Sequence, residues 1–160
     1  MIRLTRAAEY GLISLKHLAL RPAPEGLSTA REIASLYRLP YEITAKVLQK
    51  LKTGGLITST AGAKGGYYLA RPLSEISTSQ YLEIVEGPMN LVDCCEVGST
   101  CSSVSKECEY LKNCEIRDFM TVLNSKIKTV LKDVSLQGLL LEMQDGLTMG
   151  YENETSIATN

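Results

Sequence analysis

Long apolar runs are missing from this 160-residue chain: the longest, such as Gly138-Leu139-Leu140-Leu141, fall far short of the ~20 residues that a membrane span needs. An export signal is missing as well, because Met1-Ile2-Arg3-Leu4-Thr5-Arg6 contains no apolar stretch. With 44% apolar and 22% charged residues, the remainder has the composition of an ordinary folded core rather than of a disordered chain. A soluble cytoplasmic protein with no membrane partner is the expectation.

Histidine occurs once, at His17, and no Ser/His/Asp or Cys/His set stands at a catalytic spacing, so an enzyme is not expected. Gly62-Ala63-Lys64-Gly65-Gly66 lacks the G-x-x-x-x-G-K-[ST] spacing of a phosphate-binding loop and precedes a strand rather than a helix. Cysteine is absent from 139 positions, and all five, at 94, 95, 101, 108 and 114, crowd into the other 21. In a reducing compartment such a cluster argues for metal or redox chemistry more than for structural disulfides. Neither the C-x2-C knuckle of zinc ribbons nor the C-x2-C-x2-C of bacterial ferredoxins is present. Cys101-x6-Cys108-x5-Cys114, with Cys94 and Cys95 upstream, therefore offers soft thiolates suited to an iron–sulfur cluster or to zinc, and spacing alone does not choose.

The net charge of −1 conceals a division. Up to Pro72 there are 11 Lys/Arg against 4 Asp/Glu, and beyond it 6 against 14. A basic half of this kind is the electrostatic footprint of a nucleic-acid module.

Periodicity supplies the architecture. Leu4, Ala8, Leu12, Leu15 and Ala19 recur at helical spacing, with Glu9 and His17 projecting away from that stripe and Arg6 placed to pair with Glu9. Thr29-x-x-Glu32 reads as a capping box opening a second helix that carries Ile33, Ala34 and Leu36 inward. A third helix opens at Pro40, buries Ile43, Val47, Leu48 and Leu51, and stops at Gly54-Gly55. Two β-prone runs, 56–59 and 67–69, then flank a glycine-rich tip bearing Lys64. Three helices and a hairpin, the second and third helices tightly joined, predict a winged helix-turn-helix over residues 1–72. Ser77-x-x-Gln80 caps a connecting helix within 73–90 that ends at Gly87-Pro88. A cysteine-rich loop covers 91–114. Ile116, Phe119, Met120, Leu123, Ile127, Val130 and Leu131 then stripe a long helix in the region 115–142, before a polar tail, 143–160. The fold class is thus mainly α with a small β-hairpin and a long C-terminal helix.

The third helix offers Tyr41, Thr44, Lys46, Gln49 and Lys50 on the face expected to be exposed, a mixture suited to base edges and phosphates in a major groove. Arg31 before it, and Ser59, Thr60 and Lys64 of the wing, complete the expected double-stranded DNA contacts.

Leu4-Thr5-x-x-x-Glu9-Tyr10-Gly11-Leu12, Gly55-Leu56-Ile57-x-Ser59, Gly65-Gly66-Tyr67-x-Leu69-Ala70, Glu86-Gly87-Pro88 and the cysteines together resemble the IscR/NsrR type of bacterial winged-helix regulators over about residues 1–141, most closely the branch regulating SUF iron–sulfur assembly. The resemblance implies a homodimer on a partly palindromic operator, with the long helix from about Glu115 to Lys132 as its dimerisation element. It also implies a [2Fe–2S] or [4Fe–4S] cluster coupled to DNA binding. Cys108 and Cys114 match the last two of the family's three cysteine ligands. For the first, Cys101 has the nearest spacing, while Asp93-Cys94 sits where many relatives place theirs, which leaves Cys94 or Cys95 as the alternative. The acidic fourth ligand of some members maps onto Glu9. In IscR-like members that ligand is a histidine, and Arg117 stands at its position here; Ala61 likewise stands where relatives carry a wing arginine. The function implied is a transcriptional repressor sensing cluster status, redox state or nitric oxide. The alternative is a zinc-structured or thiol-redox module that docks an acidic protein and does not act on DNA.

Overall fold

The computed structural model describes residues 4–21, 26–62, 64–89 and 114–140. Cys94, Cys95, Cys101 and Cys108 and the tail 143–160 lie outside the described residues.

Thr5 caps the first helix, α1 (Arg6–Ala19), its side chain accepting from the Ala8 N–H. The helix therefore begins two residues later than the apolar period suggests, and Leu4 is left 45% exposed. Its buried face is Ala8, Gly11, Ser14, Leu15, His17 and Leu18, rotated from the expected stripe so that Ala19 faces solvent. His17 corrects the surface expectation. It is buried, with one ring nitrogen 2.9 Å from Ser28 Oγ, the other 3.2 Å from Tyr37 Oη, and Tyr37 edge-on to the imidazole. Helical spacing could not reveal this, because the polar partners come from two other segments.

The capping box is present at α2 (Ala30–Leu36): Thr29 Oγ1 accepts from the Glu32 N–H, and Glu32 accepts from the Thr29 N–H. Those bonds hold the Glu32 carboxyl below its usual range, the Thr29 N–H contributing most. Ile33 and Ala34 are buried, whereas Leu36 is exposed, contrary to expectation. The turn that follows is a Schellman motif: Leu39 N–H donates to Ala34 O and Arg38 N–H to Ser35 O. Glycine normally fills its left-handed position, but here Arg38 does, at φ 54°.

Pro40 then serves as the N-cap of α3 (Tyr41–Thr53) rather than as its first helical residue. Thr44, Val47, Leu48 and Leu51 form the buried face. Ile43 is 37% exposed and Thr44 has taken its place, because the Thr44 hydroxyl satisfies itself on Pro40 O and so tolerates burial. A second Schellman motif ends α3, this time with glycine at the left-handed position: Gly55 has φ 72°, and Leu56 N–H reaches Leu51 O. Leu56 and Leu51 are both fully buried.

Strands β1 (Ile57–Thr60) and β2 (Gly66–Leu69) pair antiparallel with Ile57 opposite Leu69 and Thr60 opposite Gly66. Ser28 adds a bridge to the outer edge of β2, exchanging both backbone bonds with Tyr67. After a short 3-10 turn at Leu73–Glu75, Ser77 caps α4 (Thr78–Glu86) by accepting from the Gln80 N–H. Gly87 stops it at φ 93°, ψ −172°, a combination that only glycine adopts readily, ahead of Pro88.

One core joins these pieces. Leu15, Leu18, Ile33, Leu48, Leu51, Ile57, Tyr81 and Val85 are among its members, so α1, α2, α3, α4 and the hairpin share it. The last described helix, α5 (Arg117–Asp133), is tied back at its end: Thr78 donates through both backbone and hydroxyl to Val134 O, and buried Leu136 donates its N–H to Ile76 O. Its expected apolar stripe divides. Leu131 packs on the core, while Ile116, Phe119 and Val130 are each more than half exposed, as is Val122, which the stripe did not include.

Two outcomes follow from these local features. Arg38→Gly removes the left-handed strain and should raise unfolding stability by up to about 1 kcal/mol in denaturant titration. Burial, with the Arg21 charge adding to it, holds His17 below its ordinary 6.5. The unfolded chain accordingly takes up a proton that the folded one resists. Stability should be flat above 6.5 and fall as pH drops below it, and His17→Gln should flatten that part of the profile.

Candidate nucleic-acid interface

At ~100° per residue, Lys46 and Gln49 lie about 150° from the centre of the buried face of α3, so both project outward. Both are exposed, as are Tyr41 and Glu42. Thr44 does not join them: it is fully buried, which corrects its placement on the exposed face. Lys50 sits on the flank, and its ammonium donates to Val85 O at 2.6 Å.

Two contacts tie this face to its neighbours. The Arg31 guanidinium lies 5.8 Å over the Tyr41 ring, joining α2 to the first turn of α3 by a cation–π contact worth about 0.5–1 kcal/mol at an exposed site. Farther along, Gln49 Nε2 donates to Tyr67 Oη at 2.8 Å, which joins α3 to the wing. Tyr67 was not foreseen as a site residue. Its signal was its place opposite Ser59 in the hairpin, visible only once the register is known. Partial burial, and the neighbouring Tyr41, raise its phenol pKa, so it stays a neutral hydrogen-bonding group. Thr60 and Lys64 are exposed on the wing, and Ser59 is half-buried.

The expected metal ligands are less fully placed. Cys114 is a free thiol of intermediate burial just ahead of α5, its carbonyl accepting from the Arg117 N–H at 3.3 Å. Glu9 is half-exposed on α1 and takes a 2.7 Å ion pair from Arg6. Among the described residues no group of three His, Cys, Asp or Glu could hold a metal ion. Cys114 nonetheless fits as a soft donor, since its thiol is free and partly accessible.

The family model of the Rrf2 regulators, described as iron-dependent transcriptional regulators, matches residues 4–142. This chain belongs to the Rrf2 family. The HTH-type transcriptional regulator NsrR of Shouchella clausii is 34% identical over 93 residues, 58% of this chain and 62% of that protein. The chain thus spans about three-fifths of the length of the curated relatives it matches. CymR, the global cysteine regulator of B. subtilis, superposes with a TM-score of 0.61 at 24% identity, covering 87% of this chain and 96% of its own. IscR of T. potens superposes at 0.57 with 18% identity, over 91% and 90% of the two chains. These likenesses support the fold as an Rrf2 winged helix with a hairpin wing. No helix among the described residues is long and apolar enough to cross a membrane.

The wing of this Rrf2 protein depends on a close approach at Gly66, where a Cβ would meet backbone atoms of Ser28 at 2.9–3.1 Å. Backbone cannot rotate aside. Gly66→Ala should cost about 1–3 kcal/mol in a denaturant melt.

Proposed function

We propose that this protein is a DNA-binding transcriptional repressor, acting in the cytoplasm as a homodimer and responding to the state of a cysteine-ligated iron–sulfur cluster. The observation that carries the reading is the continuous basic and polar face of α3, joined at one end to Arg31 through Tyr41 and at the other to the wing through Gln49 and Tyr67. Lys46 and Gln49 enter the major groove, Arg31 and Tyr41 flank the entry, and Ser59, Thr60 and Lys64 follow the adjoining backbone. The unit spanning 1–72 reads DNA; 73–90 connects it to the cysteine segment, 91–114; and 115–142 dimerises. The exposed Ile116, Phe119, Val122 and Val130 supply the apolar face that a second copy would cover.

The thiols of Cys101, Cys108 and Cys114 and the carboxylate of Glu9 would hold the cluster, with Cys94 or Cys95 as the alternative first ligand. When bound, it would supply iron that reacts with oxygen and nitric oxide. Arg6 competes for the same Glu9 carboxylate, so the α1 N-terminus differs between the liganded and ligand-free arrangements. Such a difference biases the spacing of the two recognition helices in the dimer. Within the family, the motifs place our proposal nearest the regulators of SUF assembly.

Protein purified without oxygen tests the sensor. Brown protein with matched iron and acid-labile sulfide is expected; colourless protein carrying zinc, or no metal after reconstitution, would overturn the cluster and favour the zinc or thiol-redox alternative. For the DNA reading, Lys46→Ala should weaken duplex binding and reduce the slope of log affinity against log salt by about 1. An unchanged affinity and slope would remove Lys46 from the interface.

A further inference from the structure

Lys50 occupies the third helix beside the proposed DNA-reading residues, yet its charge is directed elsewhere. It lies about 110° from the centre of the buried face of α3, on the flank that meets α4. Its Nζ donates to Val85 O at 2.6 Å, between residues 35 apart in sequence. Val85 stands in the last turn of α4, whose carbonyls have no helical N–H ahead to bond them. Gly87 has turned the chain away and Pro88 has no N–H to offer. The ammonium thus does for α4 what a C-terminal cap does, at the negative end of its dipole.

The same turn is gripped twice more. Glu86 Oε1 accepts from the N–H and the hydroxyl of Thr5 at 2.8 Å each, fastening it to the start of α1. At the end of α3, Gly54 lies so near Ile84 that a Cβ would come within 2.5–2.9 Å of three of its side-chain carbons. The last turn of α4 therefore sets where α1 begins and how the C-terminal half of α3 is held.

We propose that Lys50 is a positioning residue for DNA recognition: its bond to Val85 O fixes the pose of α3 on α4, and its charge is not a phosphate contact. The proposal rests on the DNA-binding reading above and deepens it. Along the chain, α4 leads through Gly87-Pro88 toward Cys94 and Cys95, so the clamp stands within ten residues of the first cysteines in sequence.

The full-length dimer is measured against a duplex selected by the wild type from a random pool and against unselected duplex, each over a salt series. Lys50→Met keeps the aliphatic stem, Lys50→Arg keeps a donor, and circular dichroism melts verify that both fold. A positioning role predicts that Lys50→Met discriminates between the two duplexes about tenfold less well, with its salt slope unchanged, and that Lys50→Arg recovers most of the loss. Equal weakening on both duplexes with about one unit less slope would make Lys50 a phosphate contact and overturn the proposal, as would no change at all. Wild-type protein without salt-dependent binding to either duplex would refute the DNA reading itself, and the clamp's role with it.

Discussion

A buried phenol opposite a missing side chain is the constraint on which the rest of the molecule depends. Tyr81 of α4 is fully buried and donates its hydroxyl to the Ala8 carbonyl of α1, which satisfies the one polar atom it carries into the core. Burial drives its pKa upward, so the phenol remains a donor at any physiological pH. Room for it exists only because residue 11 is glycine: a Cβ there would lie 2.5 Å from Tyr81 Oη and 3.0 Å from Val47 Cγ1. Three helices meet at this point, and Val47 belongs to the helix that we assign to the major groove. The pose of α3 is consequently not set by its own sequence alone. It depends also on how closely α1 and α4 approach behind it.

Local chemistry was legible in the sequence where one short stretch contains both partners of an interaction. The Thr29/Glu32 capping box, the Ser77/Gln80 cap, the hairpin and the Gly55 stop all have this character, and each appears within a residue or two of its expected place. Illegible features were those whose second partner is distant. His17 looks like a surface residue on a helical wheel because Ser28 and Tyr37, which make its burial tolerable, arrive from elsewhere. Thr44 and Ile43 exchanged roles because a threonine that bonds its own helix is less polar in effect than its residue type suggests. The α2–α3 turn gave no glycine signal, since Arg38 accepts a conformation that usually costs a side chain about 1–2 kcal/mol. The candidate interface divides along the same line: its outward residues followed from periodicity, whereas Tyr67 and the diversion of Lys50 required the tertiary structure.

Charge distribution gains meaning from this arrangement. The basic excess up to Pro72 and the acidic excess beyond it could have cancelled across an internal contact. Among the described residues, the lysines of α3 and the wing instead remain largely on the surface: Lys46, Lys50, Lys52 and Lys64 are exposed. The Lys50 ammonium turns toward the following half, and it bonds there to a carbonyl rather than a carboxylate. A predominantly basic field, interrupted by Glu42, is thereby preserved over the face that we propose approaches DNA, where it would steer association.

Coupling between the two halves must then run through packing and hydrogen bonds. The start of α4 is fixed by Thr78 and Ile76 to Val134 and Leu136 beyond α5, and its end by Thr5 and Lys50 to α1 and α3. A helix of only nine residues, tied at both ends, links the segment beyond α5 to α1 and α3 through one short hydrogen-bonded element. The end that leads in sequence toward Cys94 and Cys95 is also the end that touches α3. In the proposed sensor, that shared turn stands next to the cysteine segment in sequence and against α3 in space.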